Sequence, residues 1–166
     1  MTLSISAAVD HLVGLATTSV IGVTVEGQTV AVIDGWPTQI GKGSFIIGLT
    51  QPPNPAISDS DAQVDGTRSW AGLGAKQVDE NYSIPCCIDI RMKGTQKQAR
   101  DIASGIFDTF APLLIADLSL GGALAQPGWA EINNLTHLPL PAGTAPELAR
   151  RHLITFTVRC RSRTTF

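Results

Sequence analysis

The chain has 166 residues, 43% of them apolar and only 16% charged, with a net charge of −2. That length and apolar content predict one domain around a single core, and the near-neutral balance excludes a general attraction to nucleic acid or an anionic membrane. No apolar run approaches the roughly 18 residues needed to span a bilayer, and the amino terminus shows no basic segment followed by an apolar run, so no signal peptide is expected.

In chain order, Ile5, Ala8, Val9, Leu12, Val13 and Ala16 recur at helical intervals, so residues 2–16 predict an amphipathic helix capped by Thr2 or Ser4. Residues 20–25 and 29–33 are β-branched runs joined through Glu26-Gly27, a hairpin or a bulged strand pair. Asp34-Gly35-Trp36-Pro37 ends them in a turn, and residues 44–49 form a short strand entered through Gly41-Lys42-Gly43. Residues 51–66 have neither period nor core-forming side chains. Their prolines, followed by Asp59, Asp61 and Asp65, predict a long exposed loop of the functional or disordered kind. Strand character returns over 67–73, where Gly72 and Gly74 allow a sharp bend, before the polar run 76–80.

The strongest pattern in the chain is 81–116. Tyr82, Ile84, Cys86, Ile88, Ile90 and Met92 alternate with polar residues and share one face of a strand. Pro85 cannot donate to a ladder, which points to an edge, a bulge or the first turn of pairing. Gly94 breaks the strand, and Thr95 with Gln98 forms a capping box. Ala99, Ile102, Ala103, Ile106, Phe107 and Phe110 then make a helical stripe that must lie on a sheet, with Gln96, Lys97, Arg100, Asp101, Ser104 and Asp108 on the wet side. Pro112 should kink this helix or start a new one. Gly121-Gly122 stops the apolar region, residues 128–135 read as a strand, and 139–146 as a turn-rich connection. The last strand alternates cleanly, with Ile154, Phe156, Val158 and Cys160 inward and Thr155, Thr157, Arg159 and Arg161 outward. Antiparallel-compatible strands with an N-terminal helix and one long helix gathered on one face describe an α+β fold with a mostly antiparallel twisted sheet.

Catalytic patterns fail one by one. The glycines around Lys42 have the wrong spacing for a phosphate loop. Asp59, Asp61 and Asp65 suggest a calcium loop, but the interior glycine is missing and Trp70 stands where a bidentate glutamate belongs. Cys86 and Cys87 are strand neighbours, so they point to opposite faces and cannot grip one ion together. The three cysteines, with Cys160, have no zinc spacing and read as core packing or a reducing compartment. His11, His137 and His152 lie on separate elements without a fixed interval, and no G-x-S-x-G elbow exists. No catalytic residue, cofactor or metal is expected. Arg150, Arg151, Arg159, Arg161 and Arg163 cluster near the carboxyl end, as the solvated face of a strand or as a positive rim for an acidic partner or DNA. Trp36, Trp70 and Trp129 are core fillers or interface anchors.

The run Ser69-Trp70-Ala71-Gly72-Leu73-Gly74-Ala75, then Asp79-Glu80-Asn81-Tyr82-Ser83-Ile84-Pro85-Cys86, resembles the middle of tail-terminator (tail completion) proteins of long-tailed, siphovirus-type phages infecting actinobacteria. The helix leading to Leu120-Gly121-Gly122, the Trp129-Ala130-Glu131 strand, the early Asp34-Gly35 turn and the closing strand from Ile154 to Arg161 follow the same plan. The resemblance covers nearly the whole chain, and its strength lies in the order and spacing of its motifs. Pro112 and the segment 20–25 depart from the pattern. The resemblance implies a virion protein without chemistry: a homo-oligomeric ring, usually a hexamer, on the head-proximal end of the tail tube. Such a ring stops tube growth and offers a surface to the head–tail connector, with DNA passing through its lumen. Its partners are itself, the tail tube protein and the connector protein. Asp59, Asp61, Asp65, Trp70, Arg159 and Arg161 are the candidate interface residues. Another neck or tail-tube component of the same particle, or a small-molecule-binding or enzymatic α+β domain, are the alternatives.

Overall fold

The computed structural model describes residues 4–35, 41–48, 65–70, 77–125, 127–141 and 150–165. The order of elements is α1 (Ser4–Ser19), β1 (Thr24–Val25), β2 (Gln28–Thr29), β3 (Ala31–Asp34), β4 (Gly43–Ile47), β5 (Asp65–Trp70), β6 (Gln77–Met92), α2 (Gln96–Ala116), β7 (Trp129–Pro141) and β8 (Arg150–Thr165). The alternating stretches seen in the sequence become β6 and β8, each 16 residues long. They pair antiparallel from Gln77 opposite Thr165 to Met92 opposite Arg150. The sheet runs β3-β4-β6-β8-β7, with β5 added to the first half of β6. All its pairs are antiparallel except β3 with β4, which is parallel. The fold is α+β, with both helices over one face.

The even-numbered residues of β6 and β8 make the inner face. Ile84, Cys86, Ile88, Ile90, Ile154, Phe156, Val158 and Cys160 are buried in one cluster with Ala8, Leu12 and Ala16 of α1 and Ala99, Ala103, Ile106, Phe110 and Leu114 of α2. An aromatic group ties the layers together. The Phe45 ring of β4 lies edge-on to Phe110 of α2 at 5.0 Å, and Phe156 of β8 lies 5.2 Å from Phe107 and 5.6 Å from Phe110. Such pairs contribute about 0.5–1.5 kcal/mol each beyond area burial. The capping box is present, with Gln98 N donating to Thr95 Oγ1 at 3.2 Å and Thr95 N donating to Gln98 Oε1 at 2.8 Å.

Several expectations need correction. Pro85 lies in a central strand, not at an edge. Its carbonyl accepts from Gly48 N at 2.6 Å, so its nitrogen faces the same side, where β4 ends opposite Cys86 and β5 begins opposite Ser83. The missing donor falls between the end of β4 and the start of β5, where no described strand is paired with Pro85 on that side. Pro112 neither ends nor restarts α2, which continues to Ala116. It is exposed, and so is Asp108, whose carbonyl loses its helical donor and can be hydrated instead. Residues 20–23 are not strand. The hairpin shrinks to two-residue strands around Glu26 (φ 48°) and Gly27 (φ 81°), both left-handed as a type I′ turn requires. Strand β7 continues through Pro141 where a turn was expected from 139, and β5 begins at Asp65, inside the expected loop. Residues 51–64 of that loop, and 71–76 and 142–149, lie outside the described residues.

Ile106 is 1% exposed in the middle of the helix–sheet layer. Truncating it to alanine is expected to cost about 2–5 kcal/mol in equilibrium denaturation. A change near zero would show that α2 draws its stability from another face.

Candidate functional site

The outer face of the sheet carries most of the arginines singled out in the sequence, and the strand register sorts them. Near the start of β8, Arg151 Nε and Nη2 donate to Asp89 Oδ1 and Oδ2 at 3.0 and 3.2 Å. Arg91 donates from Nε and Nη2 to Asp89 Oδ2 at 3.0 and 2.7 Å. Asp89 is wholly buried, so this carboxylate holds two half-buried guanidiniums and is an ion-pair centre rather than a binding site. At the far end of β8, Arg163 forms a fork with Asp79 at 2.6 and 2.9 Å. That hydrogen bond, against an opposing effect of desolvation, holds the Asp79 carboxyl below its ordinary range and raises Arg163.

Arg159 and Arg161 are the outward, exposed arginines between these ends. Arg159 Nη1 reaches only 3.9 Å from Glu131, and Arg161 stands between Asn81 and Trp129 in register. Eight residues of extended chain separate Arg151 from Arg159, about 26 Å. The arginines therefore do not form one basic patch. Asp65 and Trp70 are the terminal residues of β5, opposite Ser83 and Val78, and their side chains lie outside the described residues, as do Asp59 and Asp61 entirely.

The three cysteines are free and buried, Cys86 and Cys160 inward and Cys87 on the opposite face. Burial pushes all three thiols up, Cys160 to about 12, so they stay protonated and pack as small apolar groups. Among the described residues, no three His, Cys, Asp or Glu side chains converge as a metal site.

Apart from Ile21 after α1, the exposed large apolar side chains among the described residues lie at the end of α2 and along β7. The stripe that buries Phe110 and Leu114 turns Ile115 outward, one residue further on. Asp117 caps the helix end, accepting from Gly121 N and Ser119 Oγ at 2.7 Å each. These bonds and the His11 ring, 3.2 Å away, hold its carboxyl below its ordinary range. The turn so fixed lets the Leu118 carbonyl accept from Ala130 N at 2.9 Å. A groove of about 430 Å³ opens between Leu114, Ile115, Leu118, Trp129, Ala130 and Ile132, with Glu131 its one charged wall. Ile115 is 67% exposed and Leu118 44%, and Leu135 and Leu138 are exposed further along β7.

Among the described strands, β7 is also an edge of the sheet. Ala130 points its side chain inward and its N–H away from β8, toward Leu118. For one strand direction, L-residues on one face all aim their backbone groups to one side, so Ile132 offers its N–H and carbonyl to the open edge too. After the bulge between Asn133 and Thr136 the inward residues are His137 and Pro139, and Pro141 follows at the same register parity opposite Arg150. The two prolines thus place their missing donors on the open edge, blunting its second half against strand addition. In the first half, beside the groove, Leu118 already takes the Ala130 N–H, and the edge groups of Ile132 have no backbone partner among the described residues. Sequence reasoning missed this groove, because its walls join residues 114–118 to 129–132 across a turn that no local pattern announces.

Neither a protein-family model nor a curated protein sequence matches the chain.

Replacing Asp89 with alanine leaves Arg91 and Arg151 facing each other without an anion. The expected loss is about 3–5 kcal/mol of stability, read by denaturant titration. A loss under about 1 kcal/mol would show that the two cations are already solvated.

Proposed function

We propose that this chain is a structural subunit of the tail-terminator kind, closing into a ring on the end of a phage tail tube and docking the head connector. The observation that supports it most is the apolar groove beside the unblocked half of β7. Exposed aliphatic surface clustered at one place on a subunit marks a protein–protein contact. A sheet edge next to it gives that contact a direction. Joined to a different surface of the next copy, such a contact is heterologous and closes into a ring. Sparse charge and a mean hydropathy of +0.15 suit a subunit that covers much of its surface in assembly.

In this reading the groove receives a neighbouring subunit. The exposed Arg159 and Arg161 stand on the outer face as a positive rim toward an acidic partner or passing DNA, without reading sequence. The protein performs no catalysis and resides in the virion. A lone subunit bears the orientational and ordering costs of association unaided, so it self-associates weakly and assembles strongly on a tube end that presents contacts already arranged.

Purified protein mixed with preformed tail tubes and imaged by electron microscopy should form closed rings at one tube end and stop further growth. An Ile115→Asp, Leu118→Asp double variant, exposed in the free subunit, should remain folded and lose ring formation. Tubes that keep growing with the wild-type protein present, or phage that make tails of normal length and join heads without it, would contradict the assignment.

A further inference from the structure

His137 and His152 meet only because of the bulge in β7. Before it, Ile132 faces inward opposite Val158; after it, the inward set shifts parity, and His137 faces inward opposite Ile154. That makes His137 the diagonal neighbour of His152, with ring centroids 5.6 Å apart and His137 Nδ1 3.3 Å from His152 Nε2. The residue at the bulge, Asn134, holds φ at 56°, a left-handed position that asparagine tolerates better than most.

The proton positions follow from one fixed acceptor. Gln96 Nε2 at the start of α2 lies 3.1 Å from the Arg151 carbonyl, which can only accept. The same Nε2 lies 3.3 Å from His152 Nδ1, so Nδ1 is an acceptor and carries no proton. His152 then holds its proton on Nε2 and donates to His137 Nδ1, which leaves the proton of His137 on its outward Nε2. Gln96, His152 and His137 form a one-way chain of neutral donors and acceptors. This polarity opposes metal binding at His152 Nε2, since the ring would need a proton on Nδ1, facing an amide N–H.

Any added proton breaks the chain. On His152 it sets an N–H against Gln96 Nε2. On His137 it sets an N–H against His152 Nε2–H, or forces His152 into the other tautomer and breaks the Gln96 link. The charged surroundings also oppose it. Arg100 of α2 and His137 of β7 both act against a positive His152, and burial acts more strongly than either. From β6, Ile90 stands opposite His152, while Asp89 and Arg91 point to the other face with Arg151; Arg150 begins β8. None of these brings a free carboxylate to the imidazoles.

We propose that the Gln96–His152–His137 chain is a pH-sensitive latch holding the second half of β7 on the sheet, closed at neutral pH and released by acid. The bulge separates the pairing of this half, from Thr136 opposite Thr155 to Pro141 opposite Arg150, from that of the first half. Residues 134–139 are exposed, so this chain of side chains adds a tie to a ladder with little burial to hold it. The sign follows from linkage: His152, held below the ordinary 6.5, stabilises the closed strand fully above that pH, and the stabilisation falls as pH drops below it. The latch controls whether this stretch of edge is fixed or loose.

Imidazole NMR of the full chain at pH 7.5 should show both histidines as Nε2–H tautomers. Hydrogen exchange at the Leu138 and Leu140 amides, corrected for intrinsic rates, should report an opening constant rising up to about tenfold per pH unit below 6.5. His137→Phe, a change at an exposed site, should flatten that dependence while leaving the part that comes from burial of His152, and Gln96→Leu should flatten it too if the first variant folds poorly. A proton on His152 Nδ1, or the same pH profile in wild type and both variants, would overturn the proposal.

Discussion

The antiparallel ladder between β6 and β8 is the constraint on which the other parts depend. Its 16 residues a side set which side chains face the helices and which face outward. A one-residue slip would exchange Ile88 and Phe156 for Asp89 and Thr157, which the core could not accept. Both short strands β4 and β5 borrow the free side of β6, and Pro85 occupies the gap between them without breaking the strand. Strand β7 borrows the free side of β8. The aromatic group of Phe45, Phe107, Phe110 and Phe156 then locks α2 across the middle of that ladder.

From this constraint follows where polar and apolar surface end up. The inner register consumes the apolar faces, so the outer register receives the charges, and Asp89 with Arg91 and Arg151 neutralises its most buried row. Where the ladder's helical cover runs out, at the end of α2, the stripe overshoots the core and Ile115 and Leu118 emerge beside β7. The assembly surface we propose is therefore a product of helix length against sheet width. The prolines of β7 limit it to the first half of the edge, and the histidine chain governs the second half.

Much of this fold was legible in the sequence, for a physical reason: period-two and helical stripes are local signals that a buried ladder and its covering helix both require. The face of Tyr82 to Met92, the face of Ile154 to Cys160, the capping box at Thr95 and the stripe to Phe110 all lie where those patterns put them. The rest depends on partners distant in sequence. Pro85 read as an edge, bulge or first-turn residue because the break between β4 and β5 on that side of β6 exists only in three dimensions. The parallel pairing of β3 with β4 and the extension of β7 through Pro139 have no local signal, since prolines mark turns unless an open edge excuses them. The histidine pair was hidden because a bulge, not a fixed interval, brings it together. Of the candidate interface residues, Arg159 and Arg161 were legible as an outward pair from alternation alone. The groove was not, because neither of its walls is apolar at a regular period.

In the proposed ring, a neighbouring subunit covers the end of α2 and the first half of β7. Hydrogen exchange of the free subunit against the tube-bound assembly tests it most directly. Slowed exchange confined to residues 114–118 and 129–132, with little change at the already buried amides of β6, is the predicted result. Unchanged exchange across 114–118 and 129–132, with protection appearing on another face, would contradict it.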